Sequence, residues 1–305
     1  MYRTQDHVVF GRNDGAQSGA VDRAWRGNRG MPHDSRSLDD VFQRFAAVPS
    51  VAAIAVVGST AAGRASADAD IDVFIYADGD FGDVRAAIAA EFADREVWHS
   101  VGERAFGDGD VWRLGPGGPW LDLMYWRPAW AEQQLYRVLV AHRASLGYST
   151  AFWRSIRDAQ PVYERDAWHP RLRRWAHSPY PVELRTNIIA TNYPYLRDHI
   201  FSFRNQVATA LHRRDEVSVN HRLAAWLASY IDIILAANGV LHPGEKRLLE
   251  IVPRECPHVP DHFSEAIERV LAVAHESPVH LVPIMDQLAT ELHGWLVRLQ
   301  LMDSA

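Results

Sequence analysis

The chain has 305 residues, 48% of them hydrophobic, and a formal net charge of -6. That content can bury a core large enough for two domains, while no apolar run approaches the roughly 18 residues of a membrane helix and the N-terminal stretch lacks the apolar centre of a signal peptide. The acidic balance disfavours a protein that coats nucleic acid, and the single cysteine, Cys256, excludes an intramolecular disulfide or a cysteine metal cluster, so the expected address is the cytoplasm.

Residues 1 to about 36 are polar, rich in Gly, Arg and Asp, and show no sustained period, which predicts a loosely ordered extension. From Ser37 the character changes. Ser37 and Asp40 have the spacing of a capping box, and Leu38, Val41, Phe42 and Phe45 mark the apolar face of a helix that Pro49 stops. Residues 51–57 read as a buried strand, 59–64 as a short helix and 71–76 as a second strand. A helical segment over 83–94 precedes strand-like pieces between about 96 and 126, broken by Gly107-Asp108-Gly109 and by Gly115-Pro116-Gly117-Gly118-Pro119. Beyond Pro128 the periods are helical, over 129–145, 150–158, 183–213, 217–238, 243–251, 261–275 and 280–300. An α/β part and a helical part therefore divide near residues 130 to 150.

One constellation stands out in the first part. The run Ala55-Val56-Val57 ends in Gly58-Ser59-Thr60, and the next apolar run carries Asp70 and Asp72 two residues apart. Side chains alternate along a strand, so the two acids share one face and Ile71, Val73 and Ile75 share the other. Paired carboxylates are costly without a cation, which points to Mg²⁺ and a nucleotide's phosphates. Gly58 would let the backbone approach a phosphate, and Ser59 would offer its hydroxyl and amide at a helix N-terminus, with Thr60 adding a further amide and Arg64 a cation one turn later. A third acid, Asp122, interrupts the apolar strand 120–126, where it would complete the metal cage or accept the acceptor hydroxyl's proton.

Gly58-Ser59, a spacer, Asp70-Ile71-Asp72 and a later strand acid resemble the nucleotidyltransferase fold of the DNA polymerase β type. A small catalytic domain followed by helices is similar to its antibiotic-modifying branch, the kanamycin, aminoglycoside and lincosamide nucleotidyltransferases. The resemblance covers residues 37 to 127 by motif. It implies an α+β protein: a mixed-sheet nucleotidyltransferase domain over 37–145 and an all-helical, acceptor-binding domain over 146–305. It also implies Mg²⁺ and a nucleoside triphosphate, with Asp70, Asp72 and Asp122 at the metal and catalytic centre. The family often has Ser directly before the first acid, where this chain has Ala69 preceded by Asp68; the apolar flanks Ile71 and Val73 select 70 and 72 as the pair.

In the helical part, Lys246 is the only lysine of the chain. It lies in the stretch 238–247, where Asn238 or Gly239 ends one helix and Pro243 is expected to open the next, so that Lys246 or His242 would face the cleft and touch phosphate or acceptor. Glu183, Arg185, Asn187, Tyr193, Tyr195 and Asp198 are candidates for an acceptor pocket, and Glu183 or Asp232 for a base; the scattered histidines show no zinc spacing. The expected activity is Mg²⁺-dependent transfer of a nucleoside monophosphate, AMP from ATP first among them, to a hydroxyl of a small molecule such as an antibiotic. The alternatives are a toxin-like transferase acting on tRNA or protein and a catalytically silent nucleotide-binding module.

Overall fold

The computed structural model describes residues 37–58, 70–79, 81–103 and 107–303. The expected N-terminal extension, and Ser59, Thr60 and Arg64, lie outside the described residues. Helix α1 (Leu38–Ala46) starts at the capping box: the Ser37 N–H donates to Asp40 Oδ2 (2.9 Å) and the Asp40 N–H to Ser37 Oγ (3.2 Å). Strands β1 (Val51–Val56), β2 (Ile71–Ala77), β3 (Ser100–Glu103), β4 (Gly109–Arg113), β5 (Trp120–Trp126) and β6 (Gln160–Glu164) form one sheet in the order β3-β4-β5-β2-β1-β6. Only β2 and β5 run parallel; the other neighbours are antiparallel, which makes the sheet mixed.

The strand period divides the sheet's two faces between two sets of helices. Ile71, Val73 and Ile75 of β2, with Leu121, Leu123 and Tyr125 of β5, pack against α1 and against α2 (Gly82–Phe92) through Val41, Phe45, Ile88 and Phe92. The opposite face presents Phe74, Tyr76, Met124 and Trp126 to α3 (Pro128–Leu139), α4 (Ala151–Asp158), α5 (Trp168–Ala176) and the start of α6 (Val182–Leu196). Each large apolar side chain buried in this way favours the fold by about 1.5–3 kcal/mol. The α2 side also encloses an ion pair. Asp110 is wholly buried and accepts from Arg85 Nη2 (2.6 Å), the Gly102 N–H (2.8 Å) and the Tyr125 hydroxyl (2.6 Å).

The remaining helices are α7 (Phe203–Arg213), α8 (Glu216–Ala237), α9 (Leu248–Glu255), α10 (Phe263–Glu276) and α11 (Leu281–Arg298), with a 3-10 turn at Pro278–His280. Their core gathers Trp226, Tyr230 and Ile234 of α8 with Val207, Val270, Met285 and Leu292. The C-terminal end of α8 and the residues after it join the sheet-side core instead, through Ala236 and Leu241. The helical half is thus packed directly onto the acid-bearing sheet face.

Four features differ from the sequence expectation. The single helix expected over 183–213 is two, α6 and α7: Pro194 lies inside α6, the His199 N–H turns back to the Pro194 carbonyl (2.8 Å), and Ser202 caps α7 by accepting from the Asn205 N–H (3.3 Å). Strand β6 and helix α5 were not anticipated. β6 has no buried residue and carries Pro161, so it lacks the apolar alternation that marks a strand; its position at the sheet edge tolerates both features. Helix α9 begins at Leu248, because Arg247 sits at φ +58° immediately before it; Glu245, Lys246 and Arg247 therefore form a turn ahead of the helix, not its first turn after Pro243.

Candidate active site

Asp72 and Asp122 are register partners on the parallel strands β2 and β5. Adjacent strands lie about 4.8 Å apart, and partners in register point to the same face, so the two carboxylates stand side by side. The face is the one that carries Phe74, Tyr76, Met124 and Trp126, toward the helical half. Asp70 precedes β2 by one residue and is exposed. The turn after β1 closes on the same spot: the Val57 N–H donates to the Asp72 carbonyl (2.9 Å), and Gly58 takes φ +71° with its α-carbon against the Asp72 side chain. A β-carbon at 58 would overlap an Asp72 carboxylate oxygen and lie 3.2 Å from its Cγ, so the dihedral calls for glycine and any side chain there would push the Asp72 carboxylate aside.

The electrostatics follow from that crowding. Partial burial, then Asp122, then Asp70 push the Asp72 carboxyl up to about 6, while Lys246 opposes them. Asp122 is raised in the same way, by burial and Asp70 against the pull of Lys246. Lys246, more than a hundred residues away in the chain, is therefore within electrostatic reach of both acids. No group of three or more His, Cys, Asp or Glu among the described residues is arranged as a metal cage. Mg²⁺ does not require one, since it is commonly held by one or two carboxylates together with substrate phosphates, and the Asp72–Asp122 pair is a donor set of that kind.

On the helical side, Lys246 is exposed whereas His242 is wholly buried. His242 Nδ1 accepts from the Gly244 N–H (3.1 Å), which places the imidazole proton on Nε2, and burial followed by the nearby Arg154 charge pushes its pKa down to about 4. His242 is thus a neutral interior residue, and Lys246 is the one within electrostatic reach of the acids. Tyr148, held at φ +54°, rests its ring 4.6 Å from that of His242. The candidate bases from this half differ in environment. Asp232 is buried, accepts the Ser149 N–H at 3.2 Å on each oxygen, and so secures the loop ahead of α4; Glu183 is exposed in the first turn of α6.

Four of the six acceptor-pocket candidates from the long helix take separate partners. Tyr193 is buried in the helical core, Asp198 pairs with Arg197 (3.2 Å), Tyr195 stacks on His199, and Asn187 donates to the His142 carbonyl (2.8 Å). Thr150 and Arg154, which bond to the segment carrying Lys246, went unnoticed in the sequence. Nothing in the amphipathic pattern of α4 separates a buried, bonded arginine from an exposed one.

Comparison with known proteins bears on this geometry. Residues 37–103 match the family model described as a nucleotidyltransferase domain. The matched segment contains Gly58, Asp70 and Asp72; Asp122 and Lys246 lie beyond it. A solved nucleotidyltransferase-like protein from Exiguobacterium sibiricum 255-15 aligns at 12% identity and a TM-score of 0.41, over 88% of this chain and 81% of that one. A search of curated proteins gives no match.

Proposed function

We propose that the protein is a Mg²⁺-dependent nucleotidyltransferase that moves a nucleoside monophosphate, in the first instance AMP from ATP, onto a hydroxyl of a small molecule such as an antibiotic. The observation that carries the reading is the registered Asp72–Asp122 pair, within electrostatic reach of Lys246, with Asp72 on a segment that matches a nucleotidyltransferase domain. Asp70, Asp72 and Asp122 would hold the metal, which when bound supplies polarisation of the α-phosphate and charge neutralisation for the departing pyrophosphate. Lys246 would contact the triphosphate as a compact cation, and Gly58 keeps the β1 turn from displacing Asp72. The acceptor oxygen attacks the α-phosphorus as the bond to the β-phosphate oxygen breaks. Asp122 takes the hydroxyl proton or passes it to solvent.

Ser59, Thr60 and Arg64 belong to the same proposal as phosphate contacts. The helices beyond residue 146 would supply the acceptor surface, because they cover the sheet face on which the acids stand. The test is mass spectrometry of products after incubation with Mg²⁺, each of the four NTPs, and a panel of hydroxylated metabolites and antibiotics. A product heavier by one nucleoside monophosphate, with pyrophosphate released, is expected; label from the NTP in an RNA or protein band would move the acceptor to a macromolecule. Absence of NTP binding by calorimetry would leave a catalytically silent, partner-binding module.

A further inference from the structure

Lys246 stands in an irregular segment between α8 and α9, and that segment is tied to a single helix end. The His242 N–H donates to Thr150 Oγ1 (2.8 Å), and the Gly244 N–H donates to His242 Nδ1 (3.1 Å). Arg154, one turn further along α4, donates from Nη1 both to the Leu241 carbonyl (3.0 Å) and to Glu255 Oε2 (2.7 Å), and from Nη2 to Glu255 Oε1 (3.1 Å). Leu241 lies before Lys246 and Glu255 closes α9 after it, so one guanidinium grips the stretch on both sides of the lysine. Arg154 is only 8% exposed, and its Nε donates to Asp158 Oδ2 (3.2 Å).

A partly buried bidentate pair is a costly device where apolar packing would serve, and its use here fixes a segment that also contains left-handed residues at Gly244 (φ +94°) and Arg247 (φ +58°). A lysine on a four-carbon stem gives up side-chain freedom when it binds phosphate; a fixed backbone beneath it lowers the remaining ordering cost.

We propose that Arg154, assisted by Thr150, is a positioning residue for polyphosphate binding: it clamps segment 241–247 so that Lys246 stands over the phosphates that a metal at Asp72 and Asp122 would hold. The inference rests on the reading of Lys246 as the triphosphate contact. Arg154 acts through Lys246 and touches no substrate itself.

The test compares wild type with Arg154→Met, Thr150→Val, Lys246→Met and the double variant Arg154→Met/Lys246→Met. The readouts are calorimetric titration with Mg²⁺-tripolyphosphate and with Mg²⁺-ATP, and amide hydrogen exchange of the free protein. Arg154→Met is expected to weaken tripolyphosphate binding about tenfold, Lys246→Met at least as much, and the double variant to be within about twofold of Lys246→Met alone, since both act on one contact. Amides of 241–247 should exchange faster in Arg154→Met while those of β2 and β5 keep their protection. Thr150→Val should move both readouts the same way by a smaller factor. If Arg154→Met does not fold, Arg154→Met/Glu255→Leu removes both charges together and carries the same expectation. Additive losses in the double variant, or unchanged exchange at 241–247, overturn the clamp. Failure of the wild type to bind either ligand, or wild-type affinity in Lys246→Met, overturns the reading of Lys246 itself and is seen without reference to Arg154.

Discussion

The α-carbon of Gly58 lies against the carboxylate of Asp72, so that any side chain at 58 would occupy the space of an Asp72 oxygen. The relationship makes Gly58→Ala a selective lesion. Left-handed strain and the displaced carboxylate are expected to cost about 1–2 kcal/mol of stability, whereas misplacing a metal-binding oxygen is expected to lower Mg²⁺-dependent NTP turnover by about 100-fold or more. Urea unfolding and a pyrophosphate-release assay on the same preparation separate the two effects; equal turnover in the folded variant would count against the site.

Asp72→Asn and Asp122→Asn should act in opposite senses on folding and on chemistry. Burial and mutual repulsion already raise both carboxyls, so removing one charge leaves the metal-free protein equally or more thermally stable. Turnover should fall by roughly 1,000-fold or more if these acids hold an essential ion. If Asp72 holds Mg²⁺, the ion competes with a proton on a carboxyl that burial and its acidic neighbours push up to about 6; apparent Mg²⁺ affinity should therefore decline by up to about tenfold per pH unit below that value. Calorimetric titrations at pH 5, 6, 7 and 8 give the slope.

Asp232 gives a stability signature with a defined sign. Burial raises its carboxyl to about 7 against the bonds from Ser149 and the charge of Arg137. Between about pH 4 and 7 the folded protein holds a proton that the unfolded chain releases, so this group's stabilisation is complete below the unfolded value and is lost as pH rises through 7. The full amplitude is on the order of 4 kcal/mol. Asp232→Asn should abolish that part of the slope. His242 has the opposite tendency, since its lowered pKa costs stability as pH falls from about 6.5 to 4, but it is common to both proteins and cancels in the difference. Denaturant midpoints of wild type and variant across pH 4–8 provide the comparison; a difference independent of pH would refute the assignment.

Asp110→Ala should be the severe structural change on the other face. It takes from Arg85 its buried carboxylate, leaving the guanidinium with Asp108 and the Gly109 carbonyl, and removes the acceptor for the Gly102 N–H and the Tyr125 hydroxyl, a lesion that costs up to about 3–5 kcal/mol. Thermal or denaturant unfolding measures it directly, and a loss below about 1 kcal/mol would show that the network is dispensable.

The acid pair was legible because its signals are local. Asp70 and Asp72 interrupt an apolar run at a spacing that fixes their common face, and Asp122 does the same in β5; the register that joins Asp72 to Asp122 then follows from sheet pairing. The capping box at Ser37 was equally local and formed as expected. Lys246 was conspicuous only as the chain's single lysine, and its approach to the acids depends on α8 delivering it to the sheet. Arg154 and Thr150 gave no local signal, because their partners lie about ninety residues on and a helical arginine looks the same whether it faces water or a carbonyl. β6 was hidden for a related reason: an edge strand with no buried residue has no periodicity to read.

That edge strand ties the two halves of the molecule together in the covalent order of the chain. β6 hydrogen-bonds to β1 only after the polypeptide has left the sheet, formed α3 and α4, and returned. A fragment ended at residue 145 would strip β1 of this neighbour and expose a row of unpaired amides beside the acid-bearing strands, an invitation to strand exchange between molecules. The six-stranded sheet draws its last strand from beyond α4, and the smallest piece that preserves all six strands must extend past Glu164 into the helical half.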